Sequence, residues 1–495
     1  MSATTTSTPM SEVLQLQRAS FHRDGPPSAA VRRDRIDRFT HAVVSNTDEL
    51  VEAISADFGT RPAVTTLVTD IVTLAQEAEM LRASVAKWMK PTYPAGKIGG
   101  TLLRAAGLRS RVIPSPKGVV GVMGIWNFPI NLTAIPALTA LAAGNRVMIK
   151  LPEKLPATSE LLANAWHDVF DVEEVAAVTG GTETSIAFSE LDLDHLFFTG
   201  SADVGSKVMA SAAKNLTPVT LELGGKNPVV ISEKVANDRG KLRRAAQRVA
   251  ASRIINAGQV CLNPDEAYVP NSMMRLFVQE IFNAWGETIP DLIATSEYTS
   301  LIDDDAYERV TALVEDAASR GAQVVHAFNT DENGVEALKR DRLFPPTVVI
   351  GVTDDMRIAR EEVFGPVLAV YGYENYGEVV EKLGARPSPL VATWYGKHDA
   401  DFEDFVARTR SGGVARNDWG LTNAVPFAPF GGVGASGLGT YHGKYGFEEF
   451  SHLRNVTESS LPFSLTELVS PPGAGIDWAK GMRSYAGMLA RRLRK

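Results

Sequence analysis

Between residues 118 and 232, short apolar runs alternate with helical stretches, and this alternation restricts the chain to an α/β fold. GVVGVMGIW, RVMIK, VAAVTG, HLFFTG and VTLEL each read as buried strands. Among the intervening stretches, NLTAIPALTALAAG reads as a helix stopped by Gly144, and PATSELLANAWHDVF as a helix beginning near Pro156. Strands joined through helices run parallel with right-handed crossovers, which predicts a doubly wound sheet. Such sheets take ligands beyond the carboxyl ends of their strands. A second alternating segment, from Gly224 to about 410, contains NPVVIS, EAYVP, QVVHA, FPPTVVIG and VLAVYGY. It predicts a second α/β domain.

The flanks read differently. Residues 1 to about 11 are rich in Ser and Thr and are expected to fray. From Ser11 to Phe58 the pattern is helical, with Ile36, Phe39, Val43, Leu50, Ile54 and Phe58 at steps of mostly three or four. Asn46 with Glu49 has the spacing of a capping box and starts a new helix. Residues 62 to 90 predict another long helix, closed by Pro91 and Pro94. PFGGVGASGLG (429 to 439) is too dense in glycine for a regular element and reads as a loop; no clear strand precedes it, so it is not a phosphate cradle. The end, DWAKGMRSYAGMLARRLRK, has the pattern of a basic amphipathic helix. A solvated helix is the commoner fate of such a segment, and association with a membrane stays open.

A chain of 495 residues exceeds what one core serves, so two or three domains are expected. Its net charge of -8 argues against a nucleic-acid partner, which needs a basic face. One cysteine forms no intramolecular disulfide and no Cys-rich metal site, and no metal is expected. The free thiol fits a reducing compartment. The start lacks an apolar signal region, and no run approaches the roughly 18 apolar residues of a membrane span. The cytoplasm is the expected location.

Three polar residues sit where chemistry is plausible. Cys261, in NAGQVCLNPDE, lies on an irregular segment between Gly258 and Pro264. A lone cysteine is more often a small buried hydrophobe, yet loops on rigid scaffolds are where nucleophiles concentrate. Glu222, inside the apolar strand VTLEL, is costly to bury, so it is either a general base or half of an ion pair with Lys226. Asn127, in GIWNFP, follows a buried strand and is either an oxyanion donor or a turn residue. Gly200, Ser201 and Gly205, in FFTGSADVG, fall at a strand-to-helix junction that can face a phosphate or be an ordinary turn. The spacing is not the GxGxxG fingerprint.

Taken in order, GIWNFP, VMIKLPE, FFTGSADVG, LELGGKNP, GQVC, EEVFGPV and PFGGVGASG resemble the aldehyde dehydrogenase family, over about residues 15 to 455. PFGGVGASGLGTYHGKYGFEEFSH resembles the class 3 branch, and DGPPSAAVRRDRIDRF with ADFGTR resembles coniferyl aldehyde dehydrogenases within it. The resemblance implies that Cys261 attacks the aldehyde carbonyl. Asn127 and the Cys261 backbone N–H then hold the oxyanion, and Glu222 activates water against the thioester. It implies NAD, with NADP possible: Lys150 and Glu153 at the adenosine ribose, Ile125 and Trp126 beside the dinucleotide, Gly200, Ser201 and Gly205 at the pyrophosphate, and Glu362 and Phe364 at the nicotinamide. A carboxylate at Glu153 accepts from a ribose 2′-OH and repels a 2′-phosphate, which favours NAD.

Two departures from the family pattern stand out. Ile125 replaces a common proline, and the interval from Glu222 to Cys261 is a few residues long, an excess that EKVANDRGK (233 to 241) is expected to absorb as a surface loop. The implied architecture is an NAD(P)-binding domain (12–97 and 118–223) and a catalytic domain (224–412). A bridging β element with the active-site loop (98–117 and about 413–460) and a helical tail (461–495) complete it. A homodimer is implied, acting on a small-molecule aldehyde that is hydrophobic, either aromatic such as coniferyl aldehyde or medium to long chain. Rival readings are a dehydrogenase of a charged semialdehyde, an acylating enzyme using coenzyme A, and a catalytically silent binding protein.

Overall fold

The protein is described here from a computed structural model, which covers residues 8–94, 96–105, 107–328, 331–462, 464 and 478–494. Each run of alternating apolar segments forms one sheet. The first sheet has the order Gly437–Leu438, Val219–Leu223, His195–Gly200, Val119–Met123, Arg146–Lys150, Val175–Val178. All neighbours are parallel except the two-residue edge strand Gly437–Leu438, which runs antiparallel to Val219–Leu223. The strand order reverses on either side of Val119–Met123, so the crevice for a ligand opens just beyond Met123. Helix Asn131–Ala143, buried at every residue, packs in that central position and stops at Gly144 in the left-handed region (φ 97°).

The second sheet has the order Gly413–Arg416, Val391–Tyr395, Pro228–Ile231, Glu266–Pro270, Val367–Tyr373, Thr347–Ile350, Gln323–His326. Only its last strand is antiparallel. Two of these strands, VATWY and GVAR, were not expected from the sequence. The sheet therefore runs on to Arg416, beyond the anticipated limit near 412.

Four expectations about local structure need amending. Asn46 does precede helix Thr47–Phe58, but its side chain makes no cap bond; its amide turns back and donates to the Ala42 carbonyl at 2.8 Å. The frayed start is shorter than expected, because helix Met10–Asp24 begins inside it; residues 1–7 lie outside the described residues. The long helix from 63 to 88 carries a π-helical stretch, Leu67–Val72, that seats Asp70 inside the protein. The interval 233–241 is not a loop. It forms the one-turn helix Glu233–Ala236 and the cap Asp238, whose carboxylate accepts from the Lys241 amide at 3.1 Å and starts helix Arg239–Ile254. Thr199 stands opposite Glu222 in the parallel pairing of their strands.

The chain divides into two compact units. The larger, residues 1–89 and 115–452, contains both sheets. The smaller, residues 90–114 and 453–495, holds helices Gly96–Ala105 and Trp478–Leu493 and most of a two-stranded ribbon, Leu108–Pro116 with Ser451–Ser459. Among the described residues no helix is long and apolar enough to cross a membrane.

Candidate active site

A cavity of about 1750 Å³ lies in the larger unit at the carboxyl ends of the first sheet's strands, and both sheets contribute to its wall. Of the residues singled out in the sequence, Ile125, Trp126, Asn127, Lys150, Glu153, Gly200, Ser201, Glu222, Cys261, Glu362 and Phe364 all line it. Gly205 does not. It stands one turn into helix Ala202–Ala213, where a Cβ would come within 2.7 Å of the Leu223 side chain, so its smallness serves helix-to-sheet packing.

Cys261 sits in a turn held from several directions. Upstream, Asn256, Ala257 and Gly258 all have left-handed backbone (φ 50°, 49° and 73°), a costly run that persists only under outside constraint. At Gly258 the constraint is visible: a Cβ would sit 2.2 Å from the Gly365 carbonyl oxygen. Fully buried Arg253 donates to the Pro264 carbonyl at 2.8 Å and to the Gly365 carbonyl, tying the cysteine turn to the Glu362–Phe364 loop. Asn227 donates to the Cys261 carbonyl at 2.7 Å. Neither Arg253 nor Asn227 was anticipated, and Arg253 is one of five arginines in its helix, so nothing in the sequence marked it as the buried one.

Asn127 is buried, and its amide nitrogen donates to the Gln259 carbonyl at 3.2 Å. An amide NH₂ has two hydrogens, so one remains for a ligand oxygen. The Asn127 backbone carbonyl accepts from Asn256 at 3.1 Å and from Arg61 at 3.2 Å. Arg61 in turn pairs with Asp70 at 2.9 Å, both side chains fully buried. Asp70 also accepts the backbone amides of Ile130 and Asn131, at 3.1 and 3.0 Å. The ion pair thus fixes both ends of the NFP segment, and a charge inside the apolar run LVTDIV was its only trace in the sequence.

The alternative role for Glu222, an ion pair with Lys226, is excluded. Lys226 bonds Asp265 at 2.6 Å and the Ile358 carbonyl at 2.7 Å. Both Glu222 carboxylate oxygens are buried without a hydrogen-bond partner among the described residues. Burial, and then the charge of Glu449, push its pKa well above the usual carboxylate range. Burial and the carboxyls of Glu362 and Glu222 push the Cys261 thiol up to about 12. Glu362 is itself raised to about 8 by burial and the nearby Asp265. It lies against Gly224, where a Cβ would meet its carboxylate at 2.2 Å. A thiol and two carboxyls sharing one poorly hydrated pocket cannot all ionise, so each disfavours the charge of the others.

The stretch 7–456 matches the sequence profile of the aldehyde dehydrogenase family. The chain belongs to that family. A probable coniferyl aldehyde dehydrogenase of Caulobacter vibrioides is 40% identical over 97% of each chain. A coniferyl aldehyde dehydrogenase of a Pseudomonas species is 35% identical over 94% of each. Among solved structures, a substrate-bound state of Staphylococcus aureus AldH superposes with a TM-score of 0.85 at 28% identity, covering 97% of this chain and 99% of that one. This protein is accordingly an NAD(P)-dependent aldehyde dehydrogenase.

The cavity suits a dinucleotide. Its wall brings together Lys150, Glu153, Gly200, Ser201, Val204 and Lys207 with Trp126, Cys261, Glu362 and Phe364. The start of helix Ala202–Ala213 belongs to that wall, with the Ser201 hydroxyl accepting the Val204 amide, a setting that favours a diphosphate. Buried Lys150 donates to the Leu151 carbonyl at 2.6 Å and reaches the half-exposed Glu153 at 3.5 Å. Trp126 and Phe364 meet edge to face at 5.5 Å.

Proposed function

We propose that this enzyme oxidises a hydrophobic aldehyde, coniferyl aldehyde being the first candidate, to the carboxylic acid with NAD as the preferred acceptor. The observation that carries this reading is that Cys261, Asn127 and Glu222 line one cavity, with both Glu222 oxygens without a hydrogen-bond partner among the described residues. The sulfur of Cys261, once deprotonated, adds to the aldehyde carbon. The free Asn127 amide hydrogen and the Cys261 backbone N–H take the developing oxyanion. NAD(P), when bound, supplies the hydride acceptor. Glu222, basic because it is buried, takes a proton from the water that attacks the resulting thioester; the acid leaves and the thiol is restored.

The substrate class follows from the wall and the relatives. Trp126, Leu132 and Phe364 give apolar surface, and the charged groups facing Cys261 are the carboxyls of Glu222 and Glu362. The burial that raises both carboxyls disfavours any further negative charge beside Cys261, that of an anionic semialdehyde included, and a base at Glu222 favours hydrolysis over transfer to coenzyme A. Relatives at 40% and 35% identity carry coniferyl aldehyde in their names. Glu153 beside the ribose position disfavours a 2′-phosphate, which is the ground for placing NAD before NADP. A homodimer in the cytoplasm completes the reading, on the class 3 resemblance and the free thiol. The test is an aldehyde panel with NAD and NADP, followed by reduced-cofactor absorbance: coniferyl aldehyde, a medium-chain aliphatic aldehyde and a charged semialdehyde. Preference for the charged semialdehyde, or turnover surviving in Cys261→Ala, would overturn the reading.

A further inference from the structure

The smaller unit concentrates the chain's positive charge. It holds twelve lysines and arginines against three carboxylates, a net +9, whereas the whole chain is -8 and the larger unit therefore -17. Within it, the 16-residue helix Trp478–Leu493 contains no acidic side chain. Met482, Tyr485, Leu489 and Leu493 recur at steps of three and four, so they share one face, and they are exposed by 58, 54, 36 and 84%. At about 100° per residue, Arg491 falls on the opposite face, Arg483 and Arg492 fall on the two flanks of the apolar stripe, Arg494 stands just past the end, and all four are exposed.

An apolar stripe left in water, backed by cations, is the pattern of a helix lying in the plane of an interface. Its apolar face enters the headgroup and acyl boundary while its arginines stay with anionic headgroups. We propose that helix Trp478–Leu493 docks the enzyme onto an anionic lipid surface. A second copy of this chain offers negative charge as well. Lipid is favoured because the helix asks for hydrocarbon and anions side by side along an apolar stripe about 17 Å long, at 1.5 Å per residue. The helix is too short to cross, so binding is peripheral and electrostatically assisted, and salt weakens it over a Debye length of about 8 Å. The docking does not depend on which aldehyde the site accepts.

The test uses the full-length enzyme and vesicles of phosphatidylcholine alone or mixed with phosphatidylglycerol, read by flotation. The enzyme should float with the mixed vesicles, bind the neutral ones at least tenfold less, and be released by high salt. Arg483→Glu/Arg491→Glu and, separately, Leu489→Asp should each lose flotation while keeping aldehyde oxidation, which shows that the variants are folded. The proposal fails if the wild-type enzyme stays at the bottom with anionic vesicles, or if either variant floats like wild type. It fails equally if the wild type does not float and Leu489→Asp converts a sedimenting dimer into a monomer, since the face then covers a second copy.

Discussion

The ion pair of Arg61 and Asp70 allows a quantitative test of how Asn127, the proposed oxyanion donor, is held. Both side chains are fully buried, 2.9 Å apart, so removing either one leaves a charge without compensation in a dry interior. Such losses cost about 3–5 kcal/mol. Asp70→Asn keeps the shape and the oxygen that accepts the Ile130 and Asn131 amides, and isolates the loss of charge. Arg61→Met keeps the volume and removes the bond to the Asn127 carbonyl. The double variant has no stranded charge and loses mainly that one bond, about 1 kcal/mol. It should therefore be more stable than either single variant, with a coupling of at least about 5 kcal/mol, read from urea midpoints by tryptophan fluorescence. Catalysis should sort differently. Arg61→Met and the double variant both lose a support of Asn127, so both should lower kcat while NAD affinity holds; Asp70→Asn keeps the Arg61 bond and should lower kcat less. A double variant whose destabilisation equals the sum of the singles would refute the reasoning.

Four further outcomes are expected. Glu222→Gln should slow thioester hydrolysis by 10²-fold or more, leaving a pre-steady-state burst of reduced cofactor; wild-type turnover without a burst would place the base elsewhere. Because burial raises both the Glu222 carboxyl and the Cys261 thiol, turnover should climb with pH well past neutrality, and a flat profile would contradict that environment. Gly258→Ala, with its Cβ 2.2 Å from the Gly365 oxygen and a left-handed backbone, should lose most activity and some stability, and unchanged kinetics would show that the turn yields. Glu77, buried and accepting the Gly443 amide, is raised to about 7 by burial, from an ordinary 4.5. A raised carboxyl favours folding at acid pH and loses that contribution as pH rises through about 7, so Glu77→Gln should be the more stable protein at alkaline pH, by about 3 kcal/mol at most. Equal denaturation midpoints above that range would sink the assignment.

The sequence by itself determined whatever is periodic and local. Ten of the strands and the helix closed by Gly144 follow from runs of apolar residues, continuous or at steps of three to four, because each such pattern buries a face wherever it is placed. The family motifs likewise carried the chain to one cavity, since their residues sit at strand ends and in the loops beside them. Pairings across the chain were left to the tertiary structure. Lys226 follows Glu222 closely in sequence yet bonds Asp265, and Asn46 bonds backward instead of capping forward, because the nearest acceptor in space was not the nearest in the motif. Asp70, Arg61 and Asn127 form one support only after helix Asn131–Ala143 is packed against the π-helical turn. Glu222 is left without a hydrogen-bond partner among the described residues because the fold draws the neighbouring Lys226 to Asp265 and the Ile358 carbonyl instead.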